Sequence, residues 1–121
     1  MKESGEMYLE TIYILSREKE EVHAIDVCKY MHFSKPSVSR ALTLLKNDSY
    51  IFLDESDHIH LTDAGLDIAK KIFERHNVLS GMLIQLGVNP QTAVHDACRM
   101  EHVISDETFS AIKKFHENKP E

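Results

Sequence analysis

The stretch SKPSVSRALTLLKNDSYIFLDESDHIHLTDAG, residues 34–65, decides the fold. Apolar residues recur at helical spacing in its first half, and Ser34 is a typical N-cap with Pro36 behind it in the first turn. A helix is therefore predicted from Ser34 to about Asn47. Its apolar stripe contains Val38, Ala41, Leu42 and Leu45.

The second half of this stretch changes to a period of two, which is typical of β-strands. Two short alternating segments surround the acidic segment DESD at residues 54–57, which supplies a turn. The alternating apolar residues are Ile51 and Leu53 before the turn and Ile59 and Leu61 after it. This pattern predicts a β-hairpin.

Helical patterns flank the hairpin on both sides. EMYLETIYILSRE (6–18) and HAIDVCKYM (23–31) come first in the chain, and the stripe of the first contains Leu9, Ile12, Tyr13 and Ser16. After the hairpin, a long helix begins at an N-cap on Thr62 and ends near Gly87, another begins at NPQ, and a last one runs from Ser105 to about His116. The order predicts a mainly α fold, with a winged helix-turn-helix at residues 1–65 and an all-helical domain at 66–121.

The composition is that of an ordinary globular protein. The chain has 121 residues, of which 42% are hydrophobic and 28% charged. It contains no apolar run of membrane-spanning length, and its start lacks the apolar segment of a signal peptide, so we expect a cytoplasmic protein without a membrane partner. In that compartment Cys28 and Cys98 should both be thiols, and Cys28 lies on the apolar side of its helix, where it should fill the core.

The charge is distributed unevenly. Residues 22–47 contain four basic residues and one acidic residue, so the net charge of this segment is +3. The net charge of the whole chain is −6, so the rest of the chain carries −9. A basic segment on an acidic body is compatible with DNA binding through one face, although a solvated basic helix would look the same. The candidate contacts to double-stranded DNA are Ser34, Lys35, Pro36, Ser37, Ser39 and Arg40, with the serines on phosphates and Arg40 on a base.

The segment VHDACRMEHVIS, residues 94–105, suggests a second function. Residues three and four apart share one face of a helix, so two imidazoles, a thiol and a carboxylate would project together. These residues are His95, Cys98, Glu101 and His102. A metal ion is one natural partner for such a face, and a solvated helix with a buried structural cysteine is the alternative.

With these elements in place, the chain resembles the diphtheria-toxin-repressor and manganese-transport-regulator family of metal-dependent transcriptional repressors. The similarity runs through EMYLETIY, SKPSVSRALTLL, HIHLTDAG, RHNVL and HDACRMEHVISDE. It implies that a divalent cation joins the first helix to a helical dimerisation and metal-binding domain, and that the loaded homodimer binds operator DNA. It also implies a principal site of Met7, Cys98, Glu101 and His102, a second site with His76 and His95, and Glu10 as a ligand of the manganese-responsive branch.

The chain departs from the iron-responsive branch of this family in three ways. Ser80 stands where that branch has a glutamate, and His95 precedes Cys98 by three residues instead of four. The length matches the shorter, manganese-responsive members. Because a thiolate and a thioether accompany the carboxylate and imidazole, we expect Fe²⁺, with Mn²⁺ next, while Zn²⁺, Ni²⁺ or Co²⁺ could bind in vitro.

Two other functions fit parts of the sequence. LTDAG after a hairpin also occurs in winged-helix regulators that sense small organic ligands without a metal. An enzyme could use Cys98 and His102 as a nucleophile and base, but the sequence has no evident oxyanion loop or third orienting residue. We therefore expect neither an enzyme nor a small organic substrate.

Overall fold

The computed structural model of the chain describes residues 3–118. These form six helices and one two-stranded sheet, so the predicted mainly α winged-helix fold is confirmed. In chain order the elements are α1 (Glu3–Glu18), α2 (Ala24–Met31), α3 (Lys35–Asn47), β1 (Ile51–Leu53), β2 (Ile59–Leu61), α4 (Asp63–Gln85), α5 (Pro90–Met100) and α6 (Asp106–Glu117). None of the helices within residues 3–118 has the length and apolarity that a bilayer crossing requires.

The chain divides into two compact units, residues 1–70 and 71–121. The division falls within the first half of α4, as does the domain boundary predicted after residue 65. The first unit contains the winged helix, and the second contains the remainder of α4 with α5 and α6.

The core of the first unit is formed by the apolar faces of its helices and the inward residues of its hairpin. α1 contributes Tyr8, Leu9, Ile12 and Leu15, so the predicted stripe is wrong at Ser16, which is exposed. α3 contributes Val38, Leu42 and Leu45, as predicted, and Cys28 fills the core as expected. Full burial of each large apolar side chain stabilises the folded state by about 1.5–3 kcal/mol, and this holds the helices against one another.

Helix α3 begins where the sequence predicts. The Ser34 side chain accepts a hydrogen bond from the amide of Ser37 at 3.3 Å, and Pro36 lies in the first turn. The preceding helix ends at Met31, and its C-cap His32 has a left-handed backbone (φ 58) that turns the chain sharply. This short turn between α2 and α3 leaves the amino-terminal end of α3 exposed to solvent.

The hairpin, or wing, is held together at its acidic turn by Asp54. One oxygen of this carboxylate accepts the amides of Ser56 and His58 at 2.9 and 3.0 Å. The other lies 3.1 Å from Nδ1 of His58 and 2.9 Å from Nε2 of His60. The strands pair antiparallel, with Leu53 opposite Ile59. The sequence predicted this turn, but it gave no indication that two histidines would meet one carboxylate there.

Asp54→Asn should make the stability of the first unit less dependent on pH. The hydrogen bond from His60, together with the backbone amides, holds the pKa of Asp54 well below its ordinary value of 3.8. A carboxyl whose folded pKa is depressed stabilises the fold above its unfolded pKa, and this contribution declines below that value and is lost as pH falls through the folded pKa. Urea unfolding should therefore show a deficit for Asp54→Asn at pH 7 that begins to narrow near pH 4 and continues to narrow towards pH 2.

The matched control for this experiment is Asp57→Asn. It removes the same charge from the same turn, and asparagine tolerates the left-handed backbone that Asp57 adopts at φ 61. The Asp57→Asn deficit should be small at every pH. An Asp54→Asn deficit that stays constant from pH 7 to pH 2 would contradict the assignment of the ionised carboxylate as the stabilising group.

The chain passes from the wing into α4 through a close backbone approach at Gly65. Thr62 caps α4 through its hydroxyl, which accepts the amide of Gly65 at 3.2 Å and donates to the carbonyl of Ser49 at 2.7 Å. A Cβ on Gly65 would lie 2.1 Å from the carbonyl oxygen of Tyr50, a distance that requires the backbone to shift. Only glycine fits at this position. A Cβ on Gly81, by contrast, would lie 3.7 Å from the ring of His116, which is an ordinary van der Waals contact.

Candidate metal centre

The sequence of the second unit brings histidine and carboxylate side chains to the turn between α5 and α6. α5 begins at its cap Asn89 and ends at Met100, so it is shorter than the predicted helix. Glu101 is the C-cap and keeps helical dihedral angles (φ −59, ψ −24), so it still shares a face with Cys98 one turn earlier. His102 lies in the turn itself.

The centre of this group is the carboxylate of Glu101, which is fully buried. Its Oε2 lies 2.9 Å from Nδ1 of His76 on α4, and its Oε1 lies 3.3 Å from Nε2 of His102. The His102 side chain is also fully buried, whereas that of His76 is 22% exposed. A buried carboxylate is stable only with partners, and here each of its oxygens faces a different imidazole.

The donors in this group fit a divalent transition-metal ion. Two nitrogen or oxygen ligands about 2.1 Å from one ion, at right angles to each other, lie about 3.0 Å apart, close to the separations found here. The half-buried thiol of Cys98 adds a softer donor on the same face as Glu101. Imidazole, carboxylate and thiolate together form a borderline-soft set.

The remaining candidate ligands are carried by other segments of the sequence. In the first unit, α1 carries Glu10, which is buried, and Met7, which is half-buried. On α5, the His95 side chain is 72% exposed, with Nδ1 3.5 Å from a carboxylate oxygen of Asp96. Ser80, which replaces a family glutamate, is buried and donates its hydroxyl to the carbonyl of His76 at 2.8 Å. The structure thus brings together His76, Glu101 and His102, and it leaves His95 in solvent.

The sequence analysis missed one residue of this region, Arg75. Its side chain is 7% exposed and donates from Nη1 to the main-chain carbonyls of Glu101 and Ile104, at 3.2 and 2.9 Å. It also forms an ion pair with Asp106, which Lys71 contacts at 2.9 Å. The hydrogen bond and charge of Lys71, with the charge of Arg75, hold the pKa of Asp106 below its ordinary value. The signal available in the sequence was an arginine at an inward-facing position of the predicted long helix.

The first unit presents the predicted DNA-contacting residues at the start of α3. The exposed ones are Ser34, Lys35, Pro36, Ser39 and Arg40, while Ser37 is half-buried. Between α3 and the wing lies a groove of about 320 Å³ whose polar lining includes Ser39, Thr43, Lys46, Asn47 and Asp57. The exposed helix start, together with these hydroxyl and ammonium groups, offers hydrogen-bond donors suited to phosphate oxygens.

Two family models together match almost the whole chain. The iron dependent repressor N-terminal DNA binding domain matches residues 1–59, and the iron dependent repressor metal binding and dimerisation domain matches residues 62–120. The transcriptional regulator MntR of Escherichia coli O157:H7 is 34% identical over 108 residues, covering 89% of this chain and 70% of that protein. This chain belongs to the iron-dependent repressor family.

Other proteins similar to this chain are also named as transcriptional or metal-dependent regulators. An uncharacterized HTH-type transcriptional regulator of Methanocaldococcus jannaschii is 31% identical over 119 residues, covering 97% of this chain and 95% of that protein. Among solved structures, the metal-dependent transcriptional regulator MtsR superposes with a TM-score of 0.87 at 27% identity, and the manganese regulator SloR with 0.85 at 25% identity. Each match covers 95% of this chain and 54% of the solved one, so this repressor-family chain spans about half their length.

Proposed function

We propose that this protein is a metal-responsive repressor that binds operator DNA as a homodimer when loaded with Fe²⁺, or next with Mn²⁺. The buried carboxylate of Glu101, between two imidazoles, is the observation that carries the proposal, because carboxylate and imidazole are donors that suit a transition-metal ion. The repressor-family membership supports the DNA-binding and dimerisation steps. We also propose that the protein acts in the cytoplasm.

The proposed ligands come from both units. In the second unit they are His76, Cys98, Glu101 and His102, with the exposed His95 as an outlying candidate. In the first unit they are Met7 and Glu10 on α1. The thiol and thioether favour Fe²⁺ over Mn²⁺, which prefers harder oxygen ligands, while Zn²⁺, Ni²⁺ and Co²⁺ should bind in vitro as well.

The proposed mechanism is a shift in population. The carboxylate, imidazole and sulfur donors would hold a divalent cation, which would supply them with one common positive partner. Glu10 on α1 and Glu101 in the second unit would then favour one relative arrangement of the two units. In a homodimer, that arrangement would set the two copies of α3 about one DNA turn apart, at two half-sites.

The proposal is tested by measuring operator binding against metal concentration. Fe²⁺ and Mn²⁺ are titrated anaerobically against the protein and a fluorescent promoter fragment, and a chelator is then added. We expect the affinity for the promoter fragment to rise by more than about 10-fold with metal, and to fall back to its metal-free value when the chelator is added. Unchanged affinity throughout would favour a metal-independent regulator that senses a small organic ligand.

Arg40→Ala should weaken discrimination between operator and unrelated DNA. An exposed arginine near the start of a recognition helix can make two hydrogen bonds to guanine, which are worth about 1–3 kcal/mol of discrimination. We expect about a 10-fold or greater loss of preference, measured as the ratio of affinities for the two DNAs in the presence of metal. Lys46→Ala is the control, because a phosphate contact should lower both affinities alike. If Arg40→Ala lowers both affinities equally, Arg40 contacts the backbone.

A further inference from the structure

Arg75 is attached to the turn that carries Glu101 and His102. Its Nη1 donates to the main-chain carbonyls of Glu101 and Ile104, at 3.2 and 2.9 Å, so one guanidinium nitrogen binds both ends of this four-residue segment. The next residue of α4, His76, contacts the side chain of the same Glu101 at 2.9 Å. Two consecutive residues of α4 therefore bind Glu101: Arg75 binds its backbone and His76 binds its carboxylate.

The other side of the guanidinium is held equally firmly. Nη2 pairs with the carboxylate of Asp106 in the first turn of α6, and the guanidinium carbon lies 5.3 Å from the centre of the Phe109 ring. A planar fork with fixed directions can make these contacts at once, whereas the single ammonium of a lysine cannot. The side chain is 7% exposed, so water does not replace these contacts.

These contacts stabilise more than the packing of α4 against α6. Nε of Arg75 is buried without a hydrogen-bond acceptor within residues 3–118, which an apolar side chain of similar volume would avoid. The acceptors that Arg75 does use belong to the segment from Glu101 to Ile104, which places both the buried carboxylate and the buried imidazole of His102.

We infer that Arg75 is a positioning residue of the metal centre: it fixes the backbone of the Glu101–Ile104 turn so that the carboxylate of Glu101 meets both His76 and His102. This inference rests on the proposed function. Partners that orient metal ligands without touching the ion change metal affinity by about 10–100-fold when they are removed. Arg75 therefore determines the metal affinity and the geometry of the centre without contacting the ion.

Co²⁺ binding to the full chain tests this inference, because the visible absorption of Co²⁺ reports both its affinity and its ligand geometry. Arg75→Lys keeps the charge but loses the fork, and it should lower Co²⁺ affinity by about 10–100-fold and alter the absorption envelope. Lys71→Met is the matched control, because it removes the other cation from Asp106 without touching the turn, and it should change the affinity less than about 2-fold.

Thermal unfolding of the metal-free proteins separates positioning from a structural role. If Arg75→Lys unfolds at a lower temperature but binds Co²⁺ with wild-type affinity and spectrum, Arg75 is structural only and the inference is overturned. If Arg75→Lys does not fold, Asp106→Asn, which loosens Nη2 alone, should still lower the affinity, and unchanged binding would overturn the inference. If the wild-type chain itself binds no Co²⁺, the proposed metal centre fails.

Discussion

Replacement of Glu101 by glutamine should abolish metal-dependent operator binding. The amide has the shape of the carboxylate, so it can occupy the same buried position, but it carries no charge and offers one acceptor oxygen where two imidazoles now face two oxygens. Loss of a direct ligand should weaken metal binding more than loss of a residue that only orients a ligand. We therefore expect metal affinity to fall by more than about 100-fold. Fluorescence anisotropy on an operator fragment, with saturating Fe²⁺ or Mn²⁺ and then with chelator, measures the result.

His95→Ala is the comparison for Glu101→Gln. Both the helical spacing and the family resemblance suggest His95 as a ligand, yet its side chain is 72% exposed and lies beside Asp96. Its removal should change metal-dependent binding far less than Glu101→Gln does. Circular dichroism should show that both variants keep their helices. If Glu101→Gln responds to metal like the wild type, while His95→Ala does not, the centre is assigned to the wrong residues.

Replacement of Glu10 by glutamine should separate metal binding from the DNA response. Glu10 is a buried carboxylate on α1 of the DNA-binding unit, and we propose that it completes the centre formed by the second unit. Without its charge, the ligands of the second unit should still take up metal, with weaker affinity. Operator affinity should no longer rise with metal, whereas in the wild type we expect a rise of more than about 10-fold.

Linkage gives this experiment a second, independent readout. Because coupling between two bound ligands is reciprocal, operator DNA should tighten metal binding in the wild type by the same factor by which metal tightens DNA binding. In Glu10→Gln both factors should approach one. Glu3→Gln, an exposed acidic residue on the same helix, should keep both factors at their wild-type values. A full metal response in Glu10→Gln would show that α1 reaches the centre through other residues or not at all.

The elements of the fold were predictable because their signals are local. The cap on Ser34, the proline behind it, and the change of period from helical to alternating at Ile51 are features of neighbouring residues, and the structure confirms each of them. The stripe of α1 failed at Ser16, because burial there depends on which face α2 and α3 cover, and Leu15 is covered instead.

The candidate centre was predictable only in part, because its geometry depends on a helix end. The spacing of His95, Cys98, Glu101 and His102 suggests one continuous face, but α5 ends at Met100 and its first half turns His95 to solvent. Periodicity does not report where a helix stops when no glycine or proline marks the end. Resemblance supplied His76, which lies far away in sequence and close to Glu101 in space. The function of Arg75 escaped notice, because its inward position on the helix does not reveal that it binds the main-chain carbonyls of Glu101 and Ile104.

The close approach at Gly65 limits how such a regulator can be diversified. A mutagenesis library selected for a new metal response would keep glycine at this position, because every other residue places an atom 2.1 Å from the Tyr50 carbonyl, if unshifted. Alanine at Gly81 should survive the same selection, since it gains helix propensity without a collision. Sequencing the survivors would therefore show whether Gly65 is retained at this junction of wing and helix, whichever ion the selection used.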